Sequence, residues 1–187
     1  LFFFIEILID YILLPQADNK RRDDFIDNSF GSKLSTKNSI CYYDNDDVKE
    51  GLFKVFLNLG ENSLFSKEIS NKMLSKEKVK FIVSISILII MTVFGFVDNN
   101  YSYSILQILF SRILIISYFE LFMYNLNMTQ IYDEIEILIE NGLNNENYKN
   151  YEAQILRLLV KYETNISNYK IFLDSHIYNE LNPLLTE

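Results

Sequence analysis

The side chains most often used in catalysis are scarce in this chain. It has one histidine, His176, and one cysteine, Cys41, and neither has a nucleophile or base at a recognised spacing. His176 is more simply a surface or packing residue. The sequence has no glycine-rich phosphate loop and no His-Glu-x-x-His motif. It therefore predicts a protein that is not an enzyme and has no cofactor.

Acidic residues suggest a metal site by composition but not by spacing. A calcium loop starting at Asp44 would need glycine where Lys49 stands and glutamate where Val55 stands, and a start at Asp46 fails at two other positions. The glutamates of segment 133–140 lack the histidine companions of a di-iron bundle. We expect a solvated turn and a hydrated helix face, and no metal site.

Polar side chains within otherwise apolar stretches are the strongest functional candidates. The set comprises Glu6, Asp10, Gln107, Arg112 and Glu120. In a bilayer such charges face a bundle interior or an aqueous cavity and pair, because exposure to lipid costs at least a few kcal/mol. Glu6 and Arg112 fall at comparable depth and are predicted to form an ion pair. The pair could fix helix register, or the set could line a pathway.

Two apolar runs must position these residues. Residues 81–97 carry no charge, and residues 104–124 are long enough to cross a hydrocarbon core at about 1.5 Å per residue. Because only residues 98–103 separate the runs, they predict an antiparallel transmembrane hairpin over 81–124 whose flanks lie on one side. A buried hairpin in a soluble core is the alternative.

The lysines predict the orientation of the hairpin. Several precede the first run and none lies in the 98–103 turn, so both flanks are expected in the cytoplasm of an inner membrane. Segment 1–14 is apolar apart from two acids and precedes Lys20, Arg21 and Arg22. It predicts the end of a truncated span, with an upstream N-terminus, or else an interfacial or buried amphipathic helix.

The connector, residues 15–80, is predicted to contain an amphipathic helix. Apolar residues recur at three- and four-residue steps from Leu52 to Met73, and Asp46 or Asp47 is placed as its N-cap. Gly60 weakens the prediction that this helix is continuous.

The acidic tail, residues 125–187, is predicted to hold further helices. Ile131, Ile135 and Leu138 extend the last span until the asparagine-rich segment 141–150 stops it. A second stripe over 155–162 needs a partner surface, and Asp174 or Ser175 could cap a last helix.

The composition narrows the class of protein. Only 7 of 187 residues are glycine or proline, which favours helices over a turn-rich β fold. A net charge of −8 argues against nucleic acid as a partner. A single cysteine fits a reducing compartment.

The layout resembles that of known bacterial membrane proteins. The connector RRDDFIDNSFGSKL…YYDND…GLFKVFLNLGENSLFSKEI, the tight hairpin and the acidic tail look like those of uncharacterised small membrane proteins. More loosely, residues 76–165 resemble SLATT-type two-span effectors, a resemblance that implies pore formation. The extra span and the long connector depart from that pattern, and no residue role is carried over.

These patterns together predict an all-α integral membrane protein. Its parts are a truncated span (1–14), a cytosolic connector (15–80), a hairpin (81–124) and a cytosolic tail (125–187). The expected role is structural or interactive, with the bilayer and either further copies or another protein as partners. A pore-forming or ion-conducting effector that uses Arg112 is the alternative.

Overall fold

The computed structural model describes residues 8–35, 43, 45, 47–98 and 115–185, apart from the side chains of residue 10 and residues 94–98. All regular secondary structure in these ranges is helical, which confirms the all-α prediction. The elements are a π-helical turn Ile9–Leu13, α1 Leu14–Phe30, α2 Leu52–Asp98, α3 Ser117–Glu140, a 3₁₀ turn Tyr148–Tyr151, α4 Glu152–Tyr169 and α5 Ser175–Leu185.

The chain divides into two compact units. The first comprises Leu1–Glu61 and Leu138–Leu159, and the second comprises Asn62–Ile137 and Val160–Glu187. Helices α2, α3 and α4 therefore each contribute residues to both units.

In the first unit, α1 ends at a glycine. Gly31 has φ 64°, and its N–H donates to the carbonyl of Asp27 at 2.8 Å. This left-handed conformation suits glycine, and an added Cβ would also collide with the carboxylate of Glu50. The left-handed backbone of Gly31 and the lack of space for a Cβ there together explain why α1 ends at a glycine.

Asp27 holds the segment that follows α1. Its buried carboxylate accepts hydrogen bonds from the hydroxyl of Ser32 at 2.7 Å and from the backbone N–H groups of Leu34 at 2.8 Å and Ser35 at 2.7 Å. Burial alone would raise the pKa of Asp27, but these three donors outweigh it and lower the pKa below its ordinary value. Asp27 therefore stabilises the loop as an anion.

Helix α2 begins later than the sequence indicated. The predicted N-caps Asp46 and Asp47 are wrong, because the helix starts at Leu52 and its first hydrogen bond runs from Val55 N–H to the carbonyl of Gly51 at 3.1 Å. The N–H of Gly51 donates to the carbonyl of Ser29, also in the first unit, at 2.8 Å. Backbone pairing with the end of α1 thus takes the place of an aspartate cap.

The apolar stripe of α2 is confirmed. Val55, Phe56 and Leu59 are buried in the first unit, and Phe65 and Ile69 are buried in the second. Gly60 does not interrupt the helix, which continues from Leu52 to Asp98. Packing on both sides of this position compensates for the low helix propensity of one glycine.

The second unit has an apolar cluster around α5. Phe65, Ile69 and Ile177 are buried, and Met73, Leu173, Tyr178, Leu181 and Leu185 pack against them. Asp174 and Ser175 were the two predicted caps of α5, and Asp174 is its N-cap. The carboxylate of Asp174 accepts the N–H of His176 at 2.8 Å. An ion pair between Lys72 and Glu180, 2.7 Å long, joins α2 to α5.

Asparagine side chains fix α3 within the second unit. The amide of Asn125 donates to the carbonyl of Lys67 at 2.9 Å and to the hydroxyl of Ser70 at 2.8 Å. Asn127 donates to the buried Asn165 of α4 at 2.9 Å, and Asn165 donates to the carbonyl of Tyr124 at 3.2 Å. These bonds set the register of α3 against its neighbours.

The tail follows its predicted pattern with one correction. Helix α3 ends at Glu140, where the asparagine-rich segment begins, and α4 carries the second stripe. The stripe residues Ile155, Leu158 and Tyr162 are already buried within the chain. Covering this face therefore does not require a separate partner.

Candidate functional site

The structure places one member of the predicted polar set. Glu120 lies exposed in the first turn of α3. Glu6, Gln107 and Arg112 lie outside the described residues, as does the side chain of Asp10. The predicted Glu6–Arg112 pair therefore stays a prediction.

The remaining candidate side chains have ordinary surroundings where the structure describes them. His176 is exposed in the first turn of α5, and its backbone N–H donates to Asp174. Glu134 accepts a hydrogen bond from Lys161 at 2.9 Å, while Glu136 and Glu140 are exposed. No group of three or more potential metal ligands occurs among the described residues.

The outward face of α2 between Phe81 and Val93 is mostly apolar, with Ser86 as its one exposed polar side chain. Five β-branched side chains on this face are each 51–58% exposed: Ile82, Val83, Ile89, Ile90 and Val93. The one buried side chain of this segment is Ser84, which is 3% exposed. A helix in water normally turns charged or polar side chains outward, so this segment has the reverse arrangement.

The first turns of α3 and the residue just before them have the same character. Ile116, Phe119, Phe122, Met123 and Leu126 are all exposed. Together with the outward side chains of α2 they form the apolar face, which we define as these ten residues. Large apolar side chains exposed in such numbers mark a site of contact with protein or membrane.

Hydroxyl groups in this part of α2 are satisfied within their own helix. Ser84, Ser86 and Thr92 donate to the carbonyls of Lys80, Ile82 and Leu88, at 2.6, 2.9 and 2.8 Å. None of these three hydroxyls needs water as an acceptor.

Over the described residues, no helix is both long enough and apolar enough to cross a bilayer.

An open groove lies in the second unit where α2 changes from charged to apolar. Its volume is about 380 Å³. Its walls come from α2, α3 and the segment after α4, and they include Lys80, Phe81, Tyr118, Glu120, Lys170 and Phe172. The structure thus places Glu120 in a groove with two lysines.

Aromatic rings build one wall of the groove. The ring of Phe81 stacks on Tyr118 with centroids 4.2 Å apart and meets Phe119 edge-on at 5.8 Å. Phe172, on the segment after α4, is 68% exposed. These contacts hold the start of α3 against α2 at the groove.

Charged groups stand at the rim of the groove. Lys80 donates to Glu77 at 2.6 Å, and Lys76 and Lys78 are exposed nearby on the same helix. Lys170 has φ 48°, a left-handed conformation that turns the chain from α4 into the segment leading to α5. The groove itself is lined by two lysines, Lys80 and Lys170, and two glutamates, Glu77 and Glu120.

Carboxylates next to these lysines are held ionised. The N–H of His176, despite some opposing burial, lowers the pKa of Asp174, and the charge of Lys76 adds to that shift. The hydrogen bond from Lys72 lowers the pKa of Glu180. Further along α3, burial and the neighbouring Glu136 raise the pKa of Tyr132.

Comparison with known proteins adds no assignment. No protein family matches the chain, and neither a curated protein nor a solved structure is significantly similar to it. Function must therefore be inferred from the residues themselves.

Sequence reasoning did not find the groove. The lysines of α2 were visible as a marker of orientation, but Lys170 and Phe172 lie about ninety positions further along the chain. No spacing pattern connects residues that meet only through the fold. The change from lysine-rich to apolar sequence at Lys80 was the one available signal.

Proposed function

We propose that this chain is a helical membrane protein with a structural or interaction role. In this proposal, residues 81–97 and 104–124 form an antiparallel hairpin in a bacterial inner membrane, and both flanks lie in the cytoplasm. The side chains of residues 94–114, which would form the tip of the hairpin, lie outside the described part of the chain.

The apolar face is the observation that carries the proposal. Fully covering one Val or Ile side chain is worth about 1.5–3 kcal/mol, so each half-exposed member of this face forgoes roughly 1 kcal/mol in water. A bilayer around residues 81–97 would cover the five outward side chains of α2 at once. The ability of Ser84, Ser86 and Thr92 to bond within the helix meets the requirement that polar groups in hydrocarbon be satisfied internally.

A second copy of the chain could cover part of the same face. Helix association in lipid uses small and polar side chains, and the exposed Ser86 and half-buried Thr92 supply these in α2. A homo-oligomer is therefore compatible with membrane insertion. The pore-forming alternative depends on Glu6, Gln107 and Arg112, and no observation among the described residues favours it.

Placing a charge on the apolar face tests the proposal. We expect Ile90→Lys to lower the fraction of protein retained in carbonate-washed membranes several-fold, because a lysine near the centre of a span costs roughly 3 kcal/mol. Val79→Lys is the matched control: Val79 is 67% exposed but lies among the lysines of α2. This variant should be retained like the unmodified chain.

Two results would count against membrane insertion. One is release of the unmodified chain by carbonate. The other is full retention of Ile90→Lys, since an exposed position in water tolerates such a change within about 0.5 kcal/mol.

A further inference from the structure

We propose that the segment joining α4 to α5 contacts the surface of the bilayer, with the ring of Phe172 inserted between head groups and upper acyl chains. The partner of this surface is lipid. The inference rests on the proposed membrane placement of the hairpin. It adds a contact outside the hairpin and places one end of the acidic tail at the membrane surface.

Phe172 is held on the surface by anchored residues on both sides of it. The N–H of Lys170 donates to the carbonyl of Ile166 at 3.0 Å, which ties the start of the segment to α4. On the other side, Leu173 packs against the buried apolar cluster around α5. Between these anchors, Phe172 is 68% exposed. The fold itself therefore keeps this large apolar ring outward.

Helix α4 runs antiparallel to α3, which determines where the segment after α4 arrives. Lys161 donates to Glu134 at 2.9 Å, and one turn later Asn165 donates to the carbonyl of Tyr124 at 3.2 Å. Positions on α3 thus fall as positions on α4 rise. Beyond the end of α4 the chain reaches the first turns of α3, where Phe172 lines the groove.

The first turns of α3 lie where α2 changes from charged to apolar. Tyr118 stacks on Phe81 with centroids 4.2 Å apart, and Phe81 is the first residue of the uncharged run 81–97. Phe172 lines the same groove as these two rings. In the proposed placement this level is the cytoplasmic interface of the bilayer. Phenylalanine is one of the side chains that interfacial segments bury at the boundary between head groups and acyl chains.

Phe172 also adjoins the apolar face of the proposed hairpin, which favours lipid as its partner. Phe119 belongs to that face and meets Phe81 edge-on at 5.8 Å. Phe81 in turn lines the groove together with Phe172. A bilayer that reaches Phe119 therefore reaches the level of Phe172 as well, and no separate protein partner is needed to cover the ring.

Charged side chains set the depth of the ring. Two lysines and two glutamates line the groove with Phe172, and one pair of them, Lys80 and Glu77, is 2.6 Å apart. Because positive and negative groups are equal in number, the contact does not depend on anionic lipid. Charged groups in the hydrocarbon centre are costly, so the groove must lie among head groups and water. The ring then lies just below the head groups and far from the bilayer centre.

Tryptophan fluorescence tests this contact, because the chain contains no tryptophan of its own. The full-length F172W variant would be reconstituted into phosphatidylcholine vesicles, with the lipid brominated either near the head group or near the ends of the acyl chains. We expect bromine near the head group to quench F172W several-fold more than bromine near the chain ends. Phosphatidylcholine has no net charge, so electrostatic attraction does not contribute.

The matched control is V160W. Val160 is 64% exposed on α4 in the same unit, but it lies about 13 Å before the end of that helix at about 1.5 Å per residue. We expect neither brominated lipid to quench V160W strongly. Equal quenching of F172W and V160W would overturn the proposal, and so would stronger quenching of F172W from the chain ends. Circular dichroism checks that both variants keep their helix content.

A third variant, I90W, separates two causes of failure. In the proposed placement Ile90 lies near the middle of a span, so bromine near the chain ends should quench I90W most. If I90W behaves in this way while F172W is not quenched, the membrane placement stands and the contact at Phe172 is overturned. If neither variant is quenched, the membrane placement fails and this inference fails with it.

Discussion

Helix α2 buries most apolar side chains of residues 52–70 but leaves many of those of residues 81–93 exposed. No residue of the first segment is exposed, and Phe56 and Leu59 are almost completely buried. In the second segment five isoleucines and valines are more than half exposed and the buried residue is Ser84. One helix therefore has an end whose apolar side chains are buried and an end where many of them are exposed in the described structure.

A buried amide that bonds to other elements distinguishes the first segment, although the hydroxyl of Ser70 there also donates to a carbonyl of its own helix, that of Ser66, at 2.6 Å. The buried amide of Asn58 donates to Asn28 at 2.8 Å and to Ser29 at 3.0 Å, both on α1, and also accepts from Asn45. The hydroxyls of residues 84–92 instead return to carbonyls of their own helix. Bonds between elements specify how protein packs against protein, whereas bonds within a helix satisfy a hydroxyl without a partner on another element.

The largest expected effect sharpens this comparison directly. Phe56→Ala should destabilise the folded chain by roughly 3–5 kcal/mol, because it leaves a cavity in a fully buried site. The matched change at the other end, Ile90→Ala, should alter the free energy of unfolding by about 0.5 kcal/mol or less. Denaturation of the detergent-solubilised chain, followed by circular dichroism, measures both.

Similar losses for Phe56→Ala and Ile90→Ala would break the comparison. A cost of several kcal/mol at Ile90 would mean that protein buries this side chain, in an oligomer for example. The apolar face would then be an interface between chains and not a lipid-facing surface.

A smaller effect should appear in the dependence of folding stability on pH, and it should not involve residues 81–93 of α2. Residues 81–93 have no titratable side chain, so acid acts on the polar parts of the chain. Folding lowers the pKa of Asp27 below its ordinary value of 3.8. The carboxylate therefore stabilises the fold fully at pH values above 3.8, and this stabilisation is lost as the pH falls through the lowered pKa.

Asp27→Asn isolates that contribution. We expect a lower thermal midpoint than the unmodified chain at pH 7 and a difference that shrinks below pH 4, where Asp27 itself becomes protonated. Asp47→Asn removes an exposed carboxylate of the same unit and serves as the control. A difference between Asp27→Asn and the unmodified chain that stays constant with pH would contradict a role for the anion.

The sequence predicted the presence of the helices more reliably than the positions at which they begin and end. The stripes of α2, α3 and α4 have helical spacing, and all three helices are present. The start of α2 could not be read, because the Ser29–Gly51 hydrogen bond that precedes it joins residues 22 positions apart. The burial of the α4 stripe likewise depends on neighbours that spacing alone cannot identify.

The candidate site could be read only in part. The sequence supplied the lysines of α2, the apolar runs and Glu120, since each is a local feature. It could not bring the segment 169–172 to α2 and α3, because that contact arises only from tertiary packing within the second unit. The set Glu6, Asp10, Gln107 and Arg112 remains a prediction from the sequence.

The central claim is that lipid contacts the outward face of α2, and spin labelling tests it most directly. Cys41→Ser would remove the single native thiol, and a nitroxide would be attached through cysteine at position 90 or at position 78 in membranes. The account predicts that position 90 is accessible to oxygen and protected from a water-soluble nickel chelate, with the reverse at position 78. Equal access of the nickel chelate to both positions would contradict it.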